Sequence, residues 1–183
     1  IEIDGHEADQ VSADYEMVGE ICLDLGAEDV LVADTRPSRE KLWETRRAIG
    51  EAVKTQNRDV GKQDVVVPRM AIPQLVERLA RIEEESGVGI ICFGHAGDGN
   101  VHINLLQGNL DDDAWKEQLG QVFPKVIREV YDLGGVLSGE HGIGWIKKDY
   151  LRTLMPPRQL ELMRCITKDF DPAGILNPGK VFD

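Results

Sequence analysis

The segment Gly94-His95-Ala96-Gly97-Asp98-Gly99-Asn100-Val101-His102 constrains the fold of this chain more than any other. Asp-Gly between two strand-like runs marks a tight hairpin, because glycine accepts the positive φ that such a turn demands. Beyond it, Val101, Ile103 and Leu105 alternate with Asn100, His102 and Asn104. A side-chain period of two puts the apolar set on one face of a strand and the polar set on the other. The chain must therefore build a sheet with an apolar face to cover and a polar face carrying imidazole and amide groups, which suit a metal and a small acid. With Asp98-Gly99 as a two-residue loop, Gly97 faces Asn100, Ala96 faces Val101 and His95 faces His102. Directly opposed Cβ atoms lie about 4.5–5.5 Å apart, so two imidazoles in that register can share one metal ion. A surface hairpin with incidental histidines is the other reading of the segment.

The surrounding pattern alternates between helix and strand. Residues 1–4 and 29–33 read as strands, and 7–25 as a helix with Val11, Tyr15, Val18, Cys22 and Leu25 at helical spacing, stopped by Gly26. Ser38 opens a helix to about Lys54, and Asp64-Val65-Val66-Val67 is a strand closed by Pro68. Ile72-Pro73 starts a helix to about Ser86, proline being at home in a first turn. Asp111-Asp112-Asp113 place negative charge where the dipole of a helix to about Leu133 favours it. After residue 145 there is no strand pattern, only a helix over about 157–169 and an irregular tail. The sum is an α+β fold: a mainly antiparallel sheet with helices packed on one face (ferredoxin-like elements), plus a C-terminal helical segment. The expected division is 1–144 for the α+β domain and 145–183 for the helical segment and tail.

A length of 183 residues with 42% hydrophobic side chains supports a sizeable core. The 21 basic and 33 acidic residues leave a net charge of −12, which argues against nucleic acid and anionic membrane as partners. No apolar run approaches the ~20 residues that span a bilayer. Cys22, Cys92 and Cys165 are scattered and odd in number, and read as buried, reduced thiols of a cytoplasmic protein. Ile1-Glu2-Ile3 without an initiator Met reads as the start of a fragment of a longer chain.

Two further stretches carry chemistry. In Gly134-Gly135-Val136-Leu137-Ser138-Gly139-Glu140-His141-Gly142-Ile143-Gly144, glycines flank a Glu-His pair and let the backbone bend so that both side chains can reach one site. A flexible turn with one exposed histidine is the alternative. His95, His102 and Glu140 make a mixed nitrogen and oxygen donor set suited to zinc or another divalent transition metal. His141 is then free to act as a base, since its ordinary pKa lies near neutrality. Arg46, in Trp43-Glu44-Thr45-Arg46-Arg47, and Lys62, before the third strand, are cations able to hold a substrate carboxylate, Arg through its forked donors. Solvated surface cations are the alternative.

Taken in order, Trp-x-x-Arg, the Lys before Asp-Val-Val-Val-Pro, Gly-His-Ala-Gly-Asp-Gly-Asn-Val-His, Ser-Gly-Glu-His-Gly-Ile-Gly and Asp-Pro-x-Gly-Ile-Leu-Asn-Pro-Gly-Lys resemble the C-terminal region of FAD-linked 2-hydroxy acid oxidoreductases of the vanillyl-alcohol oxidase type. That group includes D-lactate dehydrogenase, D-2-hydroxyglutarate dehydrogenase and the D subunit of glycolate oxidase. The resemblance covers essentially the whole chain. It implies a substrate or cap domain, with an N-terminal FAD-binding domain outside this sequence, so that the fragment alone is expected to be inactive. It implies oxidation of a D-2-hydroxy acid by the flavin. His95, His102 and Glu140 would be ligands of a divalent metal, often zinc in relatives, with His141 the base, Arg46 and Lys62 partners of the substrate carboxylate, and Asn104 near substrate or metal. Asn177, in the tail, is the candidate contact toward the flavin. Gly50 stands where some hydroxyglutarate-type relatives have a Thr thought to touch substrate, which points to the lactate or glycolate type. Partners would be a small 2-hydroxy acid and either a second copy or partner oxidase subunits, in the cytoplasm or at the membrane periphery. The competing reading is a non-catalytic metal- or carboxylate-binding regulatory module.

Overall fold

The computed structural model describes residues 1–55 and 57–182, and the chain divides into two compact units, Ile1–Ala52 and Val53–Asp183. The first contains helix α1 (Ala8–Asp24) and most of helix α2 (Arg36–Thr55). Thr35 caps α2 reciprocally with Ser38: the Ser38 N–H donates to Thr35 Oγ1 (3.3 Å) and the Thr35 N–H to Ser38 Oγ (3.2 Å), which starts the helix two residues before the expected Ser38. The strands expected at 1–4 and 29–33 are not formed; both segments are irregular. A strand is stabilised by its ladder partner, and neither segment has one among the described residues. Leu31 accordingly stands 87% exposed.

The second unit holds strand β1 (Val60–Val66), helix α3 (Ile72–Ser86), strands β2 (Gly89–His95) and β3 (Asn100–Leu106), and helices α4 (Asp112–Asp132), α5 (Lys148–Leu154) and α6 (Pro157–Phe170). The sheet order is β1-β3-β2, with β3 antiparallel to both neighbours. β1, α3 and β2 thus form a βαβ unit split by β3, the ferredoxin-like element of the expected α+β fold. Val65, Val101, Ile103 and Leu105 point to one face and are buried against Leu75, Leu79 and Ile82 of α3 and Val122, Val126, Ile127 and Val130 of α4. The spacing of the α3 trio is that of one helical stripe. Burial of each such side chain contributes about 1.5–3 kcal/mol. Arg78 and Glu129 tie α3 to α4 at 2.7 Å. Gly87 (φ +70°) ends α3, and Asp111 caps α4 by accepting from the Ala114 N–H (2.8 Å).

The hairpin departs from the expected register by two residues. His95 pairs with Asn100, Gly94 with Val101 and Phe93 with His102, so the loop is the four residues Ala96–Gly99. The reason lies across the sheet. Gly99 O accepts from the Val67 N–H (3.0 Å), and a Cβ on Gly99 would stand 2.1 Å from Val67 O, so Gly99 serves the contact with β1 rather than a two-residue turn. A slip of one residue would have turned the histidines to the core; a slip of two keeps both on the polar face.

The C-terminal segment has one helix more than expected. α5 is seven residues long and buries only Leu151, too short a stretch for a readable period. The tail returns to the body, with the Val181 N–H donating to Gly144 O (2.8 Å). The three cysteines are free; Cys22 and Cys92 are half-buried, but Cys165 is exposed, because α6 fully buries only Leu160. Among the described residues, no helix is long and apolar enough to cross a membrane.

Candidate functional site

Opposite the helices, the polar face of the sheet carries Lys62 and Asp64 of β1, His95 of β2, and Asn100, His102 and Asn104 of β3. Register places Asp64 directly across from His102 and Lys62 across from Asn104. The segment after α4 crosses this face: Val136 exchanges backbone hydrogen bonds with Val66 (2.8 and 3.2 Å), and the turn Ser138–His141 sits over Asp64. Gly139 permits the approach, since a Cβ there would lie 2.5 Å from Asn100 Nδ2.

Four side chains converge here. His102 Nε2 and His141 Nε2 each lie 3.5 Å from Glu140 Oε1, and His102 Nδ1 lies 3.6 Å from Asp64 Oδ1. The His102 and His141 rings stack with centroids 5.6 Å apart and 14° between planes, while His95 meets His102 edge-on at the same separation. One donor atom each from Asp64, His102, Glu140 and His141 fall within 4.8 Å of one another. Imidazole and carboxylate donors so gathered fit a zinc-like ion. Asp64 Oδ1, buried and without a hydrogen-bond partner, adds an unsatisfied acceptor beside them.

Burial is graded across the cluster. Asp64 is 2% exposed, whereas the Glu140 and His141 side chains are half open to solvent. Burial alone would raise the Asp64 pKa. Hydrogen bonds from the His141 and Glu140 backbones and from Ser138, with the nearby His141, outweigh it and hold the carboxyl at about 2. Burial pushes the His102 imidazole below its ordinary value, against the pull of Asp64 and Glu140.

The structure therefore gathers His102, Glu140 and His141 with Asp64, while His95 lies outside that donor group and meets it through its edge-on ring contact with His102. Lys62 and Asn104 lie beside them along the sheet. Asn104 is buried and its side chain donates to Ile91 O (3.3 Å). The cluster is built from the second unit alone; Arg46 belongs to α2 in the first. Asn177 (φ +48°) lines a separate groove of about 400 Å³ with Met163, Ile166 and Phe182. Sequence reading missed Asp64, although an aspartate interrupting a valine-rich strand, on the same face as Lys62, was a usable signal. It also missed Lys147, a buried cation that ends in backbone carbonyls.

The sequence belongs to a known class. Residues 1–181 match the family of FAD linked oxidases, C-terminal domain, and the chain belongs to that family. It is 38% identical over 178 residues to a D-lactate dehydrogenase of Anaerostipes hadrus, covering 97% of this chain and 38% of that protein. It is 40% identical over 166 residues to a D-lactate dehydrogenase of Archaeoglobus fulgidus (91% and 36% covered), and 34% identical over 182 residues to the glycolate oxidase subunit GlcD of Bacillus subtilis (100% and 38% covered). The chain thus spans well under half the length of these relatives.

Proposed function

We propose that this chain is the substrate-handling part of an FAD-linked enzyme that oxidises a small D-2-hydroxy acid, of the lactate or glycolate kind, to the 2-oxo acid. The observation that carries the proposal is the convergence of His102, Glu140 and His141 on one sheet face in a member of this family. In this reading residues 1–144 form the substrate domain, 145–183 the helical segment and tail, and the flavin is held by a part of the protein outside this sequence. The working compartment is the cytoplasm, and the company is a second copy or partner oxidase subunits.

Oxidation of a 2-hydroxy acid removes the hydroxyl proton and, from the α-carbon, a hydride. The flavin supplies the hydride acceptor. His95, His102 and Glu140 would hold a divalent ion, zinc by its donor chemistry, whose charge favours the deprotonated hydroxyl. His141 takes the hydroxyl proton on Nε2, the nitrogen facing Glu140, and its open position lets the proton pass on to water. Lys62 neutralises the substrate carboxylate, and Asn104 lies beside Lys62 to orient it. Asn177, in the tail, is the proposed contact toward the flavin.

The test is oxidation of D-lactate and glycolate by the full-length protein with a dye acceptor, read as 2-oxo acid formed. His141→Ala is expected to keep its metal and lose about 10²–10⁴-fold in kcat. His102→Ala is expected to lose metal and activity together. Absence of 2-oxo acid from either substrate rejects the proposal, and a near-normal kcat in His141→Ala rejects the base.

A further inference from the structure

Asp64 is the one carboxylate of the cluster that is fully withdrawn from solvent, and its two oxygens face different partners. Oδ2 is saturated. It accepts from Ser138 Oγ (3.1 Å) and from three successive backbone N–H groups, those of Gly139 (2.9 Å), Glu140 (2.8 Å) and His141 (2.9 Å). Consecutive N–H groups closing on one oxygen form an anion-holding nest. The nest belongs to the turn that carries Glu140 and His141, so Oδ2 fixes where both side chains start. Oδ1 has no hydrogen-bond partner and lies 3.6 Å from His102 Nδ1, just outside hydrogen-bond reach, while the opposite ring nitrogen, Nε2, faces Glu140.

A neutral imidazole has one N–H and one lone pair, and its neighbours choose between the two tautomers. Carboxylates face both nitrogens, but Glu140 is half open to water, which can satisfy it, whereas Asp64 Oδ1 is buried with no other donor, so Asp64 favours the proton on Nδ1. The lone pair then sits on Nε2, on the side of Glu140 and His141. We propose that Asp64 is a positioning residue that clamps the Glu140-His141 turn with one oxygen and fixes the tautomer of His102 with the other, making Nε2 the donor to a bound cation. The second half rests on the metal reading above; the tautomer does not. A carboxylate behind a ligating histidine is a recurrent device, and its loss typically costs 10–100-fold in metal affinity.

The alternative arrangement has His102 protonated on Nε2, with the Nδ1 lone pair and Asp64 Oδ1 both turned to the ion as direct ligands. The two are distinguished by nitrogen-15 spectra of the full-length protein, labelled in histidine, stripped with chelator and recorded at about pH 8.5, where imidazole is neutral. His102→Gln assigns the signal. The expected result is a proton on Nδ1 in the unsubstituted protein. In Asp64→Asn the side-chain amide can present its NH₂ to Nδ1, and the tautomer is expected to invert, with zinc affinity, read by chelator competition, falling 10–100-fold. Ser138→Ala, which removes one donor to Oδ2 but leaves Oδ1 untouched, is expected to keep the Nδ1–H tautomer. A proton on Nε2 in the unsubstituted protein overturns the proposal, and this measurement needs no Asp64 variant to fold. An unchanged tautomer in Asp64→Asn also overturns it. Inversion in a protein that binds no zinc supports the role of Asp64 in setting the tautomer and rejects the metal reading.

Discussion

The ammonium group of Lys147 lies 2.7 Å from the backbone carbonyl oxygen of Asp64. It donates as well to Leu137 O (2.5 Å), so one buried cation joins β1 to the strand-like entry of the Ser138–His141 turn. Burial pushes its pKa down while Asp64 pulls it up. The first prediction follows from those two carbonyls. Lys147→Met keeps the aliphatic volume and leaves both acceptors buried without that donor, each costing about 1–3 kcal/mol. Unfolding by denaturant is expected at a lower midpoint, by about 2–6 kcal/mol in stability. An unchanged midpoint rejects the bridging role.

Acid titration tests the clamp at Asp64. Its pKa is lowered from 3.8 to about 2, so the folded state holds the charged form more strongly than the unfolded chain does. The sign is then determined: the stabilisation is complete above pH ~4 and is lost as pH falls toward 2. A shift of this size is worth about 2 kcal/mol. The metal-free Asp64→Asn variant is expected to trail the unsubstituted protein by that order near pH 7, and by progressively less as the pH is lowered toward 2. Denaturant midpoints compared over that range check it. A deficit that grows on acidification contradicts the assignment.

Much of this geometry was readable because it depends on local periodicity. The alternation through Val101, Ile103 and Leu105 foretold which face of β3 is buried, and Ile72-Pro73 foretold where α3 starts. His102 and His141 stood out because the chain has only 4 histidines, and Glu140 because glycines flank the Glu140-His141 pair. The tertiary part was not readable. Asp64 acquires its role from donors 74–77 positions away, and Lys147 from a carbonyl 83 positions away; no local pattern encodes such pairings. The hairpin register failed for the same reason, since Gly99 answers to Val67 on another strand. The two strands expected in the first unit had a suitable composition but no ladder partner within it.

The cysteines separate by environment. Burial, with a smaller effect from Glu83, pushes the Cys92 thiol up to about 11, whereas Cys165 is exposed. Only thiolate reacts appreciably with alkylating reagents. Brief treatment of the native full-length protein with iodoacetamide near pH 8, followed by peptide mapping, is expected to modify Cys165 well before Cys92. Denaturation should remove most of the difference. Equal native rates reject the placement of Cys92 in the sheet.

Gly97 and Gly99, between His95 and His102, give the last prediction, because the observed four-residue loop assigns them opposite tolerances. Gly97 has no heavy atom within 4 Å of a built Cβ and no positive φ, so Gly97→Ala meets open space. It is expected to leave stability within about 0.5 kcal/mol. Gly99 has φ +75°, and its Cβ would strike the Val67 carbonyl oxygen that ends the β1 contact. Backbone cannot yield there as a flexible side chain would. Gly99→Ala is therefore expected to destabilise by about 1–3 kcal/mol, and, by moving β1 relative to β3, to weaken zinc binding at His102 as well. Denaturant midpoints and chelator competition on the two variants side by side are the check. Equal tolerance would mean that the contact between Gly99 and Val67 does not set the hairpin register.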